Sequence, residues 1–152
     1  MEKSVILINE LMVDVFNDIL KIEENTLRKG PFSDLSVTEV HTVEAIGMYE
    51  KKPASEVAKV LNITAGTLTV AANNLVKKGY VERFRDNDDR RLVKLGLTKK
   101  GRLLYRVHAR FHMQMVRASI TGLTQEEESI LIRAFRGLHS FLSNVCDDNT
   151  EK

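Results

Sequence analysis

Three groups of residues in this sequence of 152 have types and spacings that could do chemistry. In "AGTLTVAANNLVKKG", residues Gly66, Thr67, Val70, Asn73, Asn74 and Lys77 recur at helical intervals and would share one face of a helix. Such a face suits the edge of a base pair. Asn can bond an adenine edge through two hydrogen bonds, Val can meet a thymine methyl, Thr serves bases or phosphates, and Lys77 neutralises backbone charge. Gly66 costs about 1 kcal/mol relative to Ala inside a helix, yet its bare backbone allows close approach to DNA. The second group lies in "RDNDDRRLVKLGLTKKG", from Arg85 to Gly101. There Arg90 and Arg91 follow an Asn/Asp turn and could reach a narrow minor groove, where negative potential is strongest in A/T-rich DNA. Asp89 is expected to pair with an arginine and fix its side chain, so that less rotamer entropy is lost on binding; Asp86 and Asp88 are expected to shape the turn. The third group is His108 and His112, whose i, i+4 spacing turns both imidazoles to one side of a helix, as helical zinc ligands require. Helical histidine pairs more often make hydrogen bonds, and a His–Glu hydrogen-bond cluster at a dimer interface is the favoured reading.

The charge distribution supports the first two groups. The net charge is only +2, but residues 77–102 hold ten Lys/Arg against four Asp/Glu, whereas residues 1–76 are net acidic. Basic charge gathered in one short segment is the footprint of a phosphate-backbone binder. Other classes are disfavoured. There is no glycine-rich phosphate loop, Ser-His-Asp set or reactive-cysteine setting, so no catalytic residues are assigned and no cofactor is expected. A single cysteine, Cys146, cannot build an intrachain disulfide framework, and the chain reads as reduced and cytoplasmic. No segment approaches the roughly 20 apolar residues of a membrane span, so no membrane partner is expected.

The elements that must position these groups follow from periodicity. Apolar residues at Ile8, Leu11, Met12, Val15, Phe16, Ile19 and Leu20 form a stripe of period 3.6, broken at Gly30 and Pro31. Ser36 and Glu39 have the spacing of a capping box and open a second helix; Pro53 opens a short third, ended by Asn62. Thr64 caps a fourth helix running to Lys78, with Gly79 in the position that favours a left-handed backbone. From Tyr80 the period becomes 2, and two short strands flank the "RDNDDR" turn. Thr98 restarts a helix to Gly122, and Thr124 with Glu127 caps the last. The fold class expected is mainly α with a small β component (α+β): a winged helix-turn-helix at residues 36–98 within a single chain, 1–152. Long helices at 1–34 and 99–146 would form a dimerisation layer, because their broad apolar faces exceed what a monomer of this size can cover.

From Asp89 to Gly101 the sequence "DRRLVKLGLTKKG" resembles the D-x-R-x-x-x-[VL]-x-L-T-x-x-G wing signature of the MarR family of dimeric transcription regulators, matching at Asp89, Arg91, Leu95, Leu97, Thr98 and Gly101. The resemblance extends along the whole chain. It implies a homodimer on an A/T-rich pseudo-palindrome of double-stranded DNA, with recognition helices in successive major grooves and wings in the flanking minor grooves. By that resemblance Thr67, Thr69, Asn73, Asn74 and Lys77 contact DNA from the helix, and Arg91, supported by Asp89, from the wing. Val70 and Arg90 join them from the reading of the faces alone.

The segments "EVHTVEAIG", "GTLTVAANNLVKKGYVER" and "LTKKGRLLYRVHARFHMQMV" are similar to a narrower branch of the family, the repressors of fatty acid biosynthesis in Firmicutes. That similarity implies long-chain acyl groups on acyl carrier protein as corepressor. Phe16, Leu20, Leu27, Phe111 and Met115 could line a tunnel for such a chain, although core packing would explain each of them. A zinc-responsive branch that represses metal uptake is the alternative, with Glu24, His41, His108 and His112 as its ligand set. A winged helix used for protein–protein contact without DNA is the alternative of a different class.

Overall fold

The computed structural model describes residues 1–150, with side chains through Cys146. In chain order the elements are α1 (Glu2–Lys29), α2 (Val37–Ile46), β1 (Lys52–Pro53), α3 (Ala54–Leu61), α4 (Ala65–Lys77), β2 (Val81–Arg85), β3 (Val93–Leu97), α5 (Lys99–Ile120) and α6 (Gln125–Thr150). The fold is mainly helical, with one three-stranded antiparallel sheet in the order β1-β3-β2.

The ends of these helices are set by the residues the sequence singles out. The Ser36 hydroxyl accepts from the Glu39 N–H at 3.2 Å, and the Glu39 carboxylate accepts from the Ser36 N–H at 2.9 Å, satisfying two orphan donors at the start of α2. Asn62 ends α3 in the left-handed region (φ 51°), where an Asn side chain is tolerated. The Thr64 hydroxyl caps α4 by accepting from the Thr67 N–H at 3.1 Å, and Gly79 follows it with φ 83°. Thr124 and Glu127 cap α6 reciprocally.

The chain divides into two compact units, Met1–Arg106 and a second from Val107 onward. The first holds the core. Ile46, Val57, Leu75 and Tyr80 are fully enclosed, with Val43, Leu68, Val81, Leu95 and Leu104 nearly so, which fastens α2, α3, α4 and the sheet to one another. The β2–β3 hairpin pairs Val81 with Leu97 and Arg85 with Val93. Lys52 and Pro53, where the sequence predicts only the opening of the third helix at Pro53, pair with Leu95 and Lys94 as a third strand. Two residues carry no detectable period, and the pairing is made by the partner strand.

The glycine and threonine of the wing signature have a packing reason. Thr98 Oγ1 donates to the Gly79 carbonyl at 2.7 Å and accepts from the Gly101 N–H at 3.1 Å, so one hydroxyl joins the end of α4 to the start of α5. A Cβ built on Gly101 would stand 2.1 Å from the Tyr80 carbonyl oxygen, a distance no side chain can occupy.

In the second unit, among the described residues, no side chain of α6 is buried, and Ile130, Phe135, Phe141 and Leu142 are more than half or about half exposed. On α1, Glu23 is the only buried side chain, while Leu11, Val15 and Phe16 are exposed. Among the described residues no helix is long and apolar enough to cross a membrane.

Candidate nucleic-acid interface

Helix α4 buries Leu68, Ala71, Ala72 and Leu75 and leaves Gly66, Thr67, Thr69, Val70, Asn73, Asn74 and Lys77 exposed. The apolar interval of three and four residues fixes this division, because those positions pack on the shared core and the remaining arc must face outward. The expected reading face is therefore assembled as one surface. Two of its hydroxyls already have partners: Thr67 Oγ1 lies 2.9 Å from Thr64 Oγ1, and Thr69 Oγ1 donates to the Ala65 carbonyl at 2.8 Å. The side chains of Val70 and Lys77 extend into solvent.

At its far end α4 is held by a polar cluster absent from the sequence reading. Lys78 Nζ donates to both Glu39 carboxylate oxygens, at 2.8 and 3.1 Å, and to the Asp34 carbonyl. The Tyr80 hydroxyl, on a fully buried side chain, donates to Asp34 Oδ1 at 2.9 Å. Burial, first, and the Asp34 and Glu39 carboxylates push the Tyr80 phenol well above its ordinary value, since all disfavour a phenolate there. This cluster fixes the end of α4 against the turn before α2. Its members are 39 to 46 residues apart in sequence, so no local period signals it.

The wing departs from expectation in how its acids are used. Asp89 Oδ1 accepts from the backbone N–H of Arg91 at 2.9 Å, so it fixes the turn carrying Arg91 and not the guanidinium. An Asp reaches an N–H two residues ahead without stretching, and that local bond captures the carboxylate. The ion pair of the wing is made by Asp86, whose Oδ2 lies 2.6 Å from Lys94 Nζ, while its Oδ1 accepts from the Asp88 N–H at 2.9 Å. The bond from Lys94, then those from the Asp88 and Asp89 backbone, lower the Asp86 carboxyl to about 2. Arg90 and Arg91 are exposed at the tip.

Between α4 and the wing lies a hollow of about 370 Å³, lined by residues that include Thr69, Ala72, Arg83, Arg91 and Val93. It brings Thr69 and Arg91, both expected to meet DNA, to one opening. It also adds Arg83, which sequence reasoning did not select. Arg83 donates through Nη2 to Asn73 Oδ1. The signal available was the Gly79 turn, which folds β2 back along α4 and returns residue 83 beside residue 73.

The expected ligand positions are divided. Leu20 and Leu27 line a hollow of about 460 Å³ with Glu24, Arg28, Ser33, Leu35 and Val37. Phe16 is not among its walls and is 63% exposed. Phe111 and Met115 are half-buried on α5 in the second unit. Of the residues weighed for zinc, Glu24 turns to Arg28, accepting from its Nη2 at 2.6 Å, and it is Glu23 Oε2 that lies 3.5 Å from His41 Nε2. In the second unit the Nε2 atoms of His108 and His112 are 2.9 Å apart with their rings edge to face, a hydrogen bond in which one ring donates and the other accepts.

A short helix, a turn, an exposed polar helix and a basic hairpin, locked by one core, define a winged-helix DNA-binding protein. The MarR family model matches residues 35–93, the span from the α2 cap to the start of β3. The structure of Streptococcus pneumoniae FabT in complex with DNA is similar at 45% identity and a TM-score of 0.84, covering 91% of this chain and 96% of that one. The chain belongs to the MarR family and is a DNA-binding transcriptional regulator, not an enzyme. The HTH-type transcriptional regulator PchR of Bacillus subtilis is 24% identical over 118 residues, 76% of this chain and 70% of that protein. The S. aureus MepR–DNA complex shares the fold at a TM-score of 0.68 and 21% identity, covering 88% of this chain and 96% of that one.

Proposed function

We propose that this regulator is a homodimeric repressor of fatty acid biosynthesis genes, with a long-chain acyl group on acyl carrier protein as corepressor. The observation that carries the reading is the likeness to S. pneumoniae FabT along nearly the full length of both chains, at 45% identity against 21% for the S. aureus MepR–DNA complex. Two features of this chain accord with it. The apolar residues left exposed on α1 and α6 call for a second copy. The hollow beside Leu20 and Leu27 joins apolar wall to the Arg28 guanidinium. A dimer would place two α4 helices about one helical turn of DNA apart, so the site bound would be a pseudo-palindrome, with A/T-rich flanks under the wing arginines. The protein would act in the cytoplasm, where its DNA lies.

Selection of bound fragments from genomic DNA, with and without long-chain acyl carrier protein, tests the reading. Enrichment of promoters of fatty acid biosynthesis genes, altered by the acylated carrier and not by the unacylated one, is the expected result. Enrichment of other promoters, indifferent to the carrier, would overturn it.

A further inference from the structure

We propose that Arg83 is a specificity-determining residue: its guanidinium fixes the Asn73 amide in one of its two orientations, so that α4 offers the DNA an amino group and selects a base with an acceptor edge. The inference rests on the reading of the exposed α4 face as the one that meets base pairs.

An asparagine amide is an ambiguous reader. Its oxygen accepts and its nitrogen donates, and a half-turn about the last side-chain bond exchanges them at little cost, so an unrestrained Asn can satisfy either an acceptor or a donor on a base. In this protein the ambiguity is removed. Arg83 Nη2 is bonded to Asn73 Oδ1, and a guanidinium has five N–H donors and no acceptor. Turning the amide would set N–H against N–H. The oxygen must therefore face Arg83.

Arg83 is itself well placed to impose this. It sits in the middle of β2, opposite Leu95 of β3, two residues from Val81, which is buried in the core. Its stem thus starts from a fixed point, and the planar fork loses less freedom per bond than an ammonium would. Asn73, one turn from Val70 and one from Lys77, is on the outward arc of α4.

The consequence for readout follows from the edges of the bases. With one lone pair of Oδ1 taken by Arg83, the Nδ2 amino group remains to donate, and the second lone pair can still accept. Adenine, with N7 as acceptor and its amino group beside it, satisfies both; guanine offers N7 and O6 to the amino group; cytosine presents only an amino donor in the major groove, which can meet the second lone pair but leaves the Asn73 amino group without an acceptor. The pair would discriminate against cytosine at one position of each half-site. An arginine that merely neutralised phosphate would show no such preference.

The test uses a duplex selected from a random library by the full-length wild-type protein, then varied at each base pair of one half-site. Binding is titrated for wild type, Asn73→Ala, Arg83→Ala and the double variant, over a range of salt concentrations, with thermal melting to confirm that each variant is folded. Both residues are exposed, so folding should survive. We expect Asn73→Ala to lose its preference at one base pair, and Arg83→Ala to lose about tenfold of discrimination at that same base pair, as suits one well-formed base contact. The double variant should lose no more there than Asn73→Ala alone. Uniform weakening by Arg83→Ala across the panel, with base preference kept and a salt slope lower by about one, would show a phosphate contact and overturn the proposal. If Asn73→Ala keeps every wild-type preference, the recognition face itself has been misassigned and the proposal falls with it.

Discussion

Lys78 Nζ stands 2.8 Å from Glu39 Oε2, an ion pair between the residue that caps the C-terminus of α4 and the first turn of α2. Glu39 is almost fully buried and also accepts from the Ser36 N–H, so its carboxylate serves the α2 cap and the seat of the recognition helix together. Lys78→Met would leave a buried carboxylate with part of its hydrogen bonding gone. The expected cost is about 1.5–3 kcal/mol, the range for a hydrogen bond to a charged group, below the range for breaking a fully buried pair because Lys78 is partly exposed. Denaturant unfolding measures it; a midpoint unchanged from wild type would show the pair to be idle.

Gly101→Ala should destabilise the protein, although Gly→Ala within a helix ordinarily gains stability. The added methyl would lie 2.1 Å from the Tyr80 carbonyl oxygen, so α5 must move away from β2 or the hairpin must shift. A loss of about 2 kcal/mol or more is expected from overpacking of this kind. Thermal unfolding with DNA titration checks it, since a displaced wing would weaken binding as well.

Two substitutions of Asp89 separate its charge from its turn bond. Asp89→Asn keeps an oxygen for the Arg91 N–H while removing a negative charge near phosphate, so binding should hold or tighten slightly, most at low salt. Asp89→Ala removes the acceptor too, frees the turn and should weaken binding. If the alanine variant binds more tightly than the asparagine one, the turn bond plays no part in presenting Arg91.

The Asp86 carboxyl, lowered to about 2 by the bond from Lys94 and by backbone N–H groups, makes the wing sensitive to acid and not to mild alkali. Its folded value lies below the ordinary value of about 3.9, so its contribution is fully present above that value and is lost as pH falls through about 2. A carboxyl-resolved NMR titration should find Asp86 well below the ordinary aspartate value. Lys94→Met should raise it toward the ordinary range; a value unmoved by that change would mean that the backbone donors alone hold it.

Dimerisation is checked directly by sedimentation. At low micromolar concentration the chain should show no stable folded monomer, because α6 buries none of its described side chains within one copy. Introducing Glu at Phe135 or Phe141 should yield dissociated and largely unfolded protein.

Much of the first unit is fixed by local sequence. The caps at Ser36, Thr64 and Thr124, the left-handed turns at Asn62 and Gly79, and the division of α4 into Leu68, Ala71, Ala72 and Leu75 against Thr67, Val70, Asn73 and Lys77 each depend on residues within one or two turns of each other. Helix and hairpin physics acts over that range, so period and capping chemistry suffice to find them. What only the tertiary structure decided are the contacts made across long separations or between equivalent local partners. The Glu39–Lys78 pair closes across 39 residues, and β1 exists only because Leu95 and Lys94 pair with it. Asp86 and Asp89 are the same residue type in one short turn; Asp86 shapes the turn as expected and adds an ion pair to Lys94, whereas Asp89 shapes the turn instead of pairing with an arginine. Register places Lys94 opposite Phe84, on the side of the hairpin where Asp86 waits, whereas Asp89 meets a backbone N–H first. Composition states which charges a wing carries; strand register and the nearest unsatisfied donor determine which of them pair, because a hydrogen bond acts over about 3 Å and sequence spacing alone does not specify position that finely.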